Sequence, residues 1–212
     1  PAIEDLYGKV IAPTGEPLIN AFSRMISGAV REYSILSRVT SFDIGDARVV
    51  SLDLDEVAKS GGDAADRQTS VMYMLARYVL ARHYYLTEES LTNIPEQYKE
   101  YHKERVLEIR EDPKRIVYDE FHRTAKSSAV RDQVIIDMRE GRKWKVQIAL
   151  LSQSVDDFDA VMIDFSTAIY VMDAGPSQAL EKTSQIFGLS NTAKVALRTR
   201  VHGPRQGGAT FL

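Results

Sequence analysis

Two short apolar runs separated by one helix-length stretch constrain this chain most. Arg115-Ile116-Val117-Tyr118 reads as a strand, 125–140 as a helix, and 145–151 as a second strand. Strands alternating with helices of this length predict βαβ units and a largely parallel sheet, because parallel neighbours need a crossover. Val146–Leu151 is broken only by Gln147, which suits a strand buried on both faces. A third run at 167–172 and an earlier one at 46–54 extend the expected sheet to four strands.

Helical periodicity fills the remainder. Leu18, Phe22, Met25, Ala29, Tyr33 and Leu36 recur every three or four residues, so 18–37 is expected to be an amphipathic helix, with Pro17 at its start. Gly61-Gly62-Asp63 breaks the chain before a second helix over 66–86. The stretch 87–112, dense in Glu, Lys and Tyr, suggests a surface helix carrying short-range ion pairs such as Glu100 with Lys103. Gly175-Pro176 opens a later helix that closes at Gly188, and Ser190 is the expected N-cap of the last, which ends near Arg200.

Composition excludes several classes. With 44% hydrophobic and 27% charged residues in 212, the chain is neither disordered nor a coiled coil, and it holds no apolar run of membrane-spanning length. Lys+Arg 27 against Asp+Glu 30 gives a net charge of −3, so nucleic-acid binding is not indicated. The absence of cysteine rules out disulfides, thiolate metal sites and a Cys nucleophile. The four histidines show no metal-site spacing, and no serine sits in a G-x-S-x-G elbow. The chain opens on Pro1 and closes on Thr210-Phe211-Leu212, so a fragment of something longer is expected.

The sharpest chemical signal is an apolar strand ending in two acids, Asp119 and Glu120, the form of a Walker B element in RecA-like ATPases. Strand carboxyl ends of open parallel sheets face the ligand crevice. There Asp119 can hold Mg²⁺ through water and Glu120 can polarise an attacking water, although a strand ending in solvated acids is a common alternative. Gln153 closes the neighbouring strand, where a residue sensing the γ-phosphate belongs. Arg139, Arg142 and Lys143 lie near a helix C-terminus, where they either satisfy the last carbonyls or contact phosphate; the dipole role is sufficient for Lys143. Arg198, Arg200 and Arg205 sit in a glycine-rich end segment, as a neighbour-facing arginine, a basic patch or solvated turn charges. The tyrosines Tyr73, Tyr78, Tyr84 and Tyr85 suit either a partner surface or helical core positions.

In this order, Arg115–Glu120, Arg139-Glu140-Gly141-Arg142-Lys143 and the strand end Ser152-Gln153 resemble the type IV secretion and conjugation ATPases, the VirB-type and TraC-like family. Tyr118–Thr124 with Leu151–Phe158 is most similar to the ATPase of Dot/Icm (type IVB) systems, and Arg48–Val57 resembles the family's strand between Walker A and Walker B. The resemblance covers nearly the whole chain. It implies an α/β, RecA/HerA-like motor domain with a mainly parallel sheet flanked by helices. The chain would then be the C-terminal part of that domain over 1–212, with 1–45 a helical lead-in and 87–112 a charged insertion. It further implies ATP and Mg²⁺ as ligands, a hexameric ring, partner secretion ATPases, and a place at the cytoplasmic face of the inner membrane.

One departure is decisive for this piece: no G-x-x-x-x-G-K-S/T phosphate loop occurs, and the Gly8-Lys9 pair has Val10 after it and Ile3 where the first glycine belongs. The chain therefore carries the hydrolytic half of such a site without the binding half, and no nucleotide is expected to bind it alone. Asp119-Glu120-Phe121-His122 is also a literal DExH string of helicases, but those carry Ser-Ala-Thr where Ser152-Gln153-Ser154 stands here. A non-catalytic interaction or oligomerisation module is the remaining alternative.

Overall fold

The computed structural model describes residues 3–4, 10–11, 15–33, 37–38, 44, 47–57, 61–173 and 175–212. The chain divides into two compact units, Pro1–Glu56 and Val57–Leu212.

The first unit holds a short antiparallel pair, β1 (Ile3–Glu4) with β2 (Val10–Ile11), and helix α1 (Leu18–Glu32). Pro17 stands just before α1 in extended conformation, where a missing N–H costs nothing. The expected periodicity is real, but the apolar face is exposed: Phe22 at 62% and Met25 at 69%. The last turn expected to reach 37 is not helical at 33, and Leu36 lies outside the described residues.

The strand expected over 46–54 is not formed. Residues 47–54 carry no ladder, and Val49 is 91% exposed. The reason is local: the Asp53 carboxylate accepts the Asp55 N–H at 2.9 Å, a side-chain turn that competes with a strand for backbone groups.

The second unit begins with α2 (Asp63–Ala81), continued by a 3₁₀ turn at Arg82–Tyr85, and then α3 (Glu96–Glu111). In α3 the ion pairs join Glu96 to Lys99 and Arg105 to Glu108, rather than Glu100 to Lys103. Strand β3 (Lys114–Tyr118) pairs in parallel with β4 (Val146–Leu150), from Lys114↔Val146 to Tyr118↔Leu150. Helix α4 (Ser128–Glu140) makes the crossover and packs on β4 and α2. Lys114, Ile116 and Tyr118 share the inner face, while Arg115, Val117 and Gln147 leave the other face open. This is a mixed α/β architecture whose parallel sheet has, among the described residues, two strands rather than the expected four.

The run at 167–172 is the second correction. It forms no strand in that sheet; Val171 instead exchanges both backbone bonds with Leu212, at 2.9 and 3.1 Å. Helices α5 (Ala160–Phe165), α6 (Ser177–Ile186) and α7 (Asn191–Arg200) complete the unit, followed by a hairpin of β5 (His202–Arg205) and β6 (Gly208–Thr210). Gly188 ends the α6 segment at φ 58, a left-handed position glycine takes freely, and the Ser190 hydroxyl accepts the Ala193 N–H to cap α7. Leu180, Leu197 and Val201 form the apolar cluster there, with Val171 and Leu189 against it. Among the described residues no helix is long and apolar enough to cross a membrane.

Candidate functional site

The site grows from the carboxyl end of β3. Tyr118 is buried, and Phe121, three residues on, is fully so. Between them Asp119 and Glu120 turn outward, because Glu120 adopts left-handed backbone (φ 50, ψ 47) and ends the strand abruptly. Phe121 anchors the 3₁₀ turn Phe121–Thr124: its ring stacks on Phe158 at 6.0 Å, meets Tyr118 edge-on at 6.2 Å, and carries the Arg131 guanidinium 5.2 Å above it. The Thr124 hydroxyl donates to the Phe121 carbonyl at 2.8 Å.

The ladder between the strands runs past their ends. Leu151 N–H donates to Tyr118 O at 2.9 Å, and Phe121 N–H donates to Leu151 O at 2.8 Å. This extension brings Glu120 and Gln153 side by side. Gln153 Nε2 donates to Glu120 Oε1 at 3.4 Å and Oε2 at 3.2 Å, although 33 residues separate them. The loop carrying Gln153 is itself tied down. Asp157 Oδ2 accepts from the Ser152 hydroxyl at 2.5 Å and from the Ser154 N–H at 3.2 Å, while Arg131 donates to Asp157 O at 2.8 Å and to Asp159 at 3.0 Å.

Asp119, which is exposed, accepts the Glu120 N–H on Oδ1 at 2.9 Å, which orients the carboxylate. His122 Nδ1 lies 3.1 Å from Glu120 Oε2, the same oxygen that Gln153 Nε2 meets at 3.2 Å. The imidazole Nδ1 is shielded from solvent and has no aligned hydrogen-bond partner.

Asp119, Glu120 and Gln153 therefore share one edge, as the strand topology requires. Arg139 and Arg142 do not join them. Both precede β4 in the chain and lie beyond its amino end, with Arg139 over the Phe165 ring at 5.3 Å and Arg142 exposed in the 3₁₀ turn Gly141–Trp144. Five strand residues at about 3.3 Å each put roughly 16 Å between the two ends. Neither arginine can reach the Glu120 edge of the same chain.

Two features escaped the sequence reading. His122 was legible only as the end of a DExH string, although its spacing of two from Glu120 is the available signal. Asp137 gives no sequence signal at all. It is 2% exposed and bridges Arg77 of α2 by two bonds, Nε to Oδ2 at 2.6 Å and Nη2 to Oδ1 at 2.5 Å. Gln133 Nε2 at 3.1 Å and the Tyr85 hydroxyl at 3.3 Å complete the shell. The Asp137 bond holds the Arg77 guanidinium above its ordinary range, and burial pushes the Tyr85 phenol up to about 12. Burial raises Tyr118 as well.

Among the described residues no group of three His, Asp or Glu side chains is arranged to hold a metal on its own. The exposed Asp119 carboxylate beside Glu120 suits Mg²⁺, which takes one or two carboxylates and completes its shell with water and substrate phosphate. Compared with known proteins, the chain matches no family model, no curated protein and no solved structure.

Proposed function

We propose that this chain is the C-terminal, hydrolytic portion of a secretion-system motor ATPase on a RecA/HerA-like core, of the kind found in type IV and Dot/Icm (DotO/IcmB-type) machines. The observation that carries the reading is the Gln153–Glu120 hydrogen bond across the ends of two adjacent parallel strands. It supports the reading because it joins an acid and an amide suited to sensing a γ-phosphate at the carboxyl ends of parallel strands, where open parallel sheets bind ligands.

In this reading Glu120 accepts a proton from the attacking water on a carboxylate oxygen, and Gln153 orients both. Asp119 holds Mg²⁺ through water, and that cation supplies charge neutralisation for the phosphates of ATP. The phosphate loop is contributed outside this sequence. Arg142, and with it Arg139, faces a neighbouring subunit of a hexameric ring, since both lie far from their own Glu120. Hydrolysis then drives ring rearrangements that energise assembly or substrate transfer, with partner ATPases at the cytoplasmic face of the inner membrane.

The test is kinetic, on the intact ATPase. Glu120→Gln is expected to leave the KM for ATP nearly unchanged and to cut kcat by roughly 10²-fold or more. Asp119→Asn should weaken Mg-dependent nucleotide binding as well. Near-normal hydrolysis by Glu120→Gln would remove the enzyme reading.

The second reading, an interaction module, is favoured by the missing phosphate loop and by the open outer face of β3–β4, where Val117 is 55% exposed. It takes precedence if the acids prove dispensable. Calorimetric titration of this chain alone with Mg-ATP should give no binding heat; micromolar affinity would mean that an unconventional nucleotide site exists.

A further inference from the structure

We infer that His122 is a positioning residue for Glu120, its Nδ1–H being the second donor that aims the carboxylate. This rests on the reading of Glu120 as the base. Glu120 reaches its oxygens through three rotatable bonds from a left-handed backbone, so one anchor leaves the carboxylate free to swing. Gln153 is one anchor, but at 3.2 and 3.4 Å its bonds are long, and both come from the same Nε2. An amide engaged with phosphate cannot give that group fully to the carboxylate.

His122 meets the need from Glu120's own turn. Its Nδ1 is buried, lacks an aligned partner, and has Glu120 Oε2 at 3.1 Å. A protonated Nδ1 at that distance attracts the carboxylate where a bare lone pair would oppose it, so the proton is assigned to Nδ1. The His122 side chain as a whole is 40% exposed. The turn that carries the ring is held, because the flanking Phe121 is fully buried and Thr124 is bonded back to it. A small rotation of the imidazole aligns the bond when Gln153 turns away.

Two measurements decide it. Long-range ¹⁵N–¹H NMR of the histidines in this chain should show Nδ1 of His122 carrying a proton; a bare Nδ1 overturns the proposal. In the intact ATPase, His122→Ala should lower kcat by about 10-fold or more with the KM for ATP unchanged. His122→Asn, whose amide nitrogen stands where Nδ1 does, should recover most of the rate, and His122→Gln should not. Normal kcat in His122→Ala beside an inactive Glu120→Gln overturns the role of His122 while sparing the base. Normal turnover in Glu120→Gln removes the base and the positioning role together, whatever proton the imidazole carries.

Discussion

Glu120 is held where its backbone is least comfortable. A side chain with a Cβ in the left-handed region costs about 1–2 kcal/mol, and glycine escapes most of that. Glu120→Gly is therefore expected to leave the unfolding free energy unchanged or raise it by up to about 1 kcal/mol, while abolishing hydrolysis. Urea denaturation checks this, and a loss of 2 kcal/mol or more would show that the carboxylate contacts stabilise the turn. Residue-scale electrostatics give a second expectation. The Tyr85 phenol has an ordinary value of about 10 and is raised in the fold to about 12, so the folded state keeps its proton longer than the unfolded chain. Its contribution is fully present below pH 10 and is lost as pH rises through 12. Stability measured across that window should fall less steeply in Tyr85→Phe than in the parent.

Between elements, the backbones of α4 and β4 come close at Gly141. A Cβ there would sit 2.5 Å from the Val146 carbonyl oxygen, against backbone that cannot step aside. Gly141→Ala should destabilise the join of α4 to β4 by about 1–3 kcal/mol, read as a lower thermal midpoint. The elements around this join were legible because their signals are local. The β3 and β4 runs are apolar and bounded by turn residues, Ser190 caps α7, and Gly188 closes α6. The edge shared by Glu120 and Gln153 followed from strand polarity alone. What failed depended on partners. Residues 47–54 and 167–172 have strand-like composition, but a strand exists only where a neighbour takes its N–H and C=O groups. The first stretch makes an Asp53 turn, and in the second Val171 pairs with Leu212. The buried Asp137 is invisible in sequence for a related reason: an acid on a helix announces neither its burial nor an arginine sixty positions earlier.

Within the second unit, that Arg77–Asp137 bridge ties α2 to α4 across 60 residues, and it is an unforgiving one. Removing either partner strands a charge in the interior, which costs about 3–5 kcal/mol, so Arg77→Met should unfold at much lower denaturant than wild type. The same bridge also sets a schedule for synthesis. Arg77 leaves the ribosome 60 residues ahead of Asp137. At roughly 5–20 residues per second, α2 waits about 3–12 s for its counter-ion. During that interval its buried face, Thr69, Met72 and Tyr73 among it, has no α4 to rest on. Nascent chains arrested before Asp137 emerges should remain open to protease over 63–81, and chains arrested after Trp144 has cleared the exit tunnel should resist it.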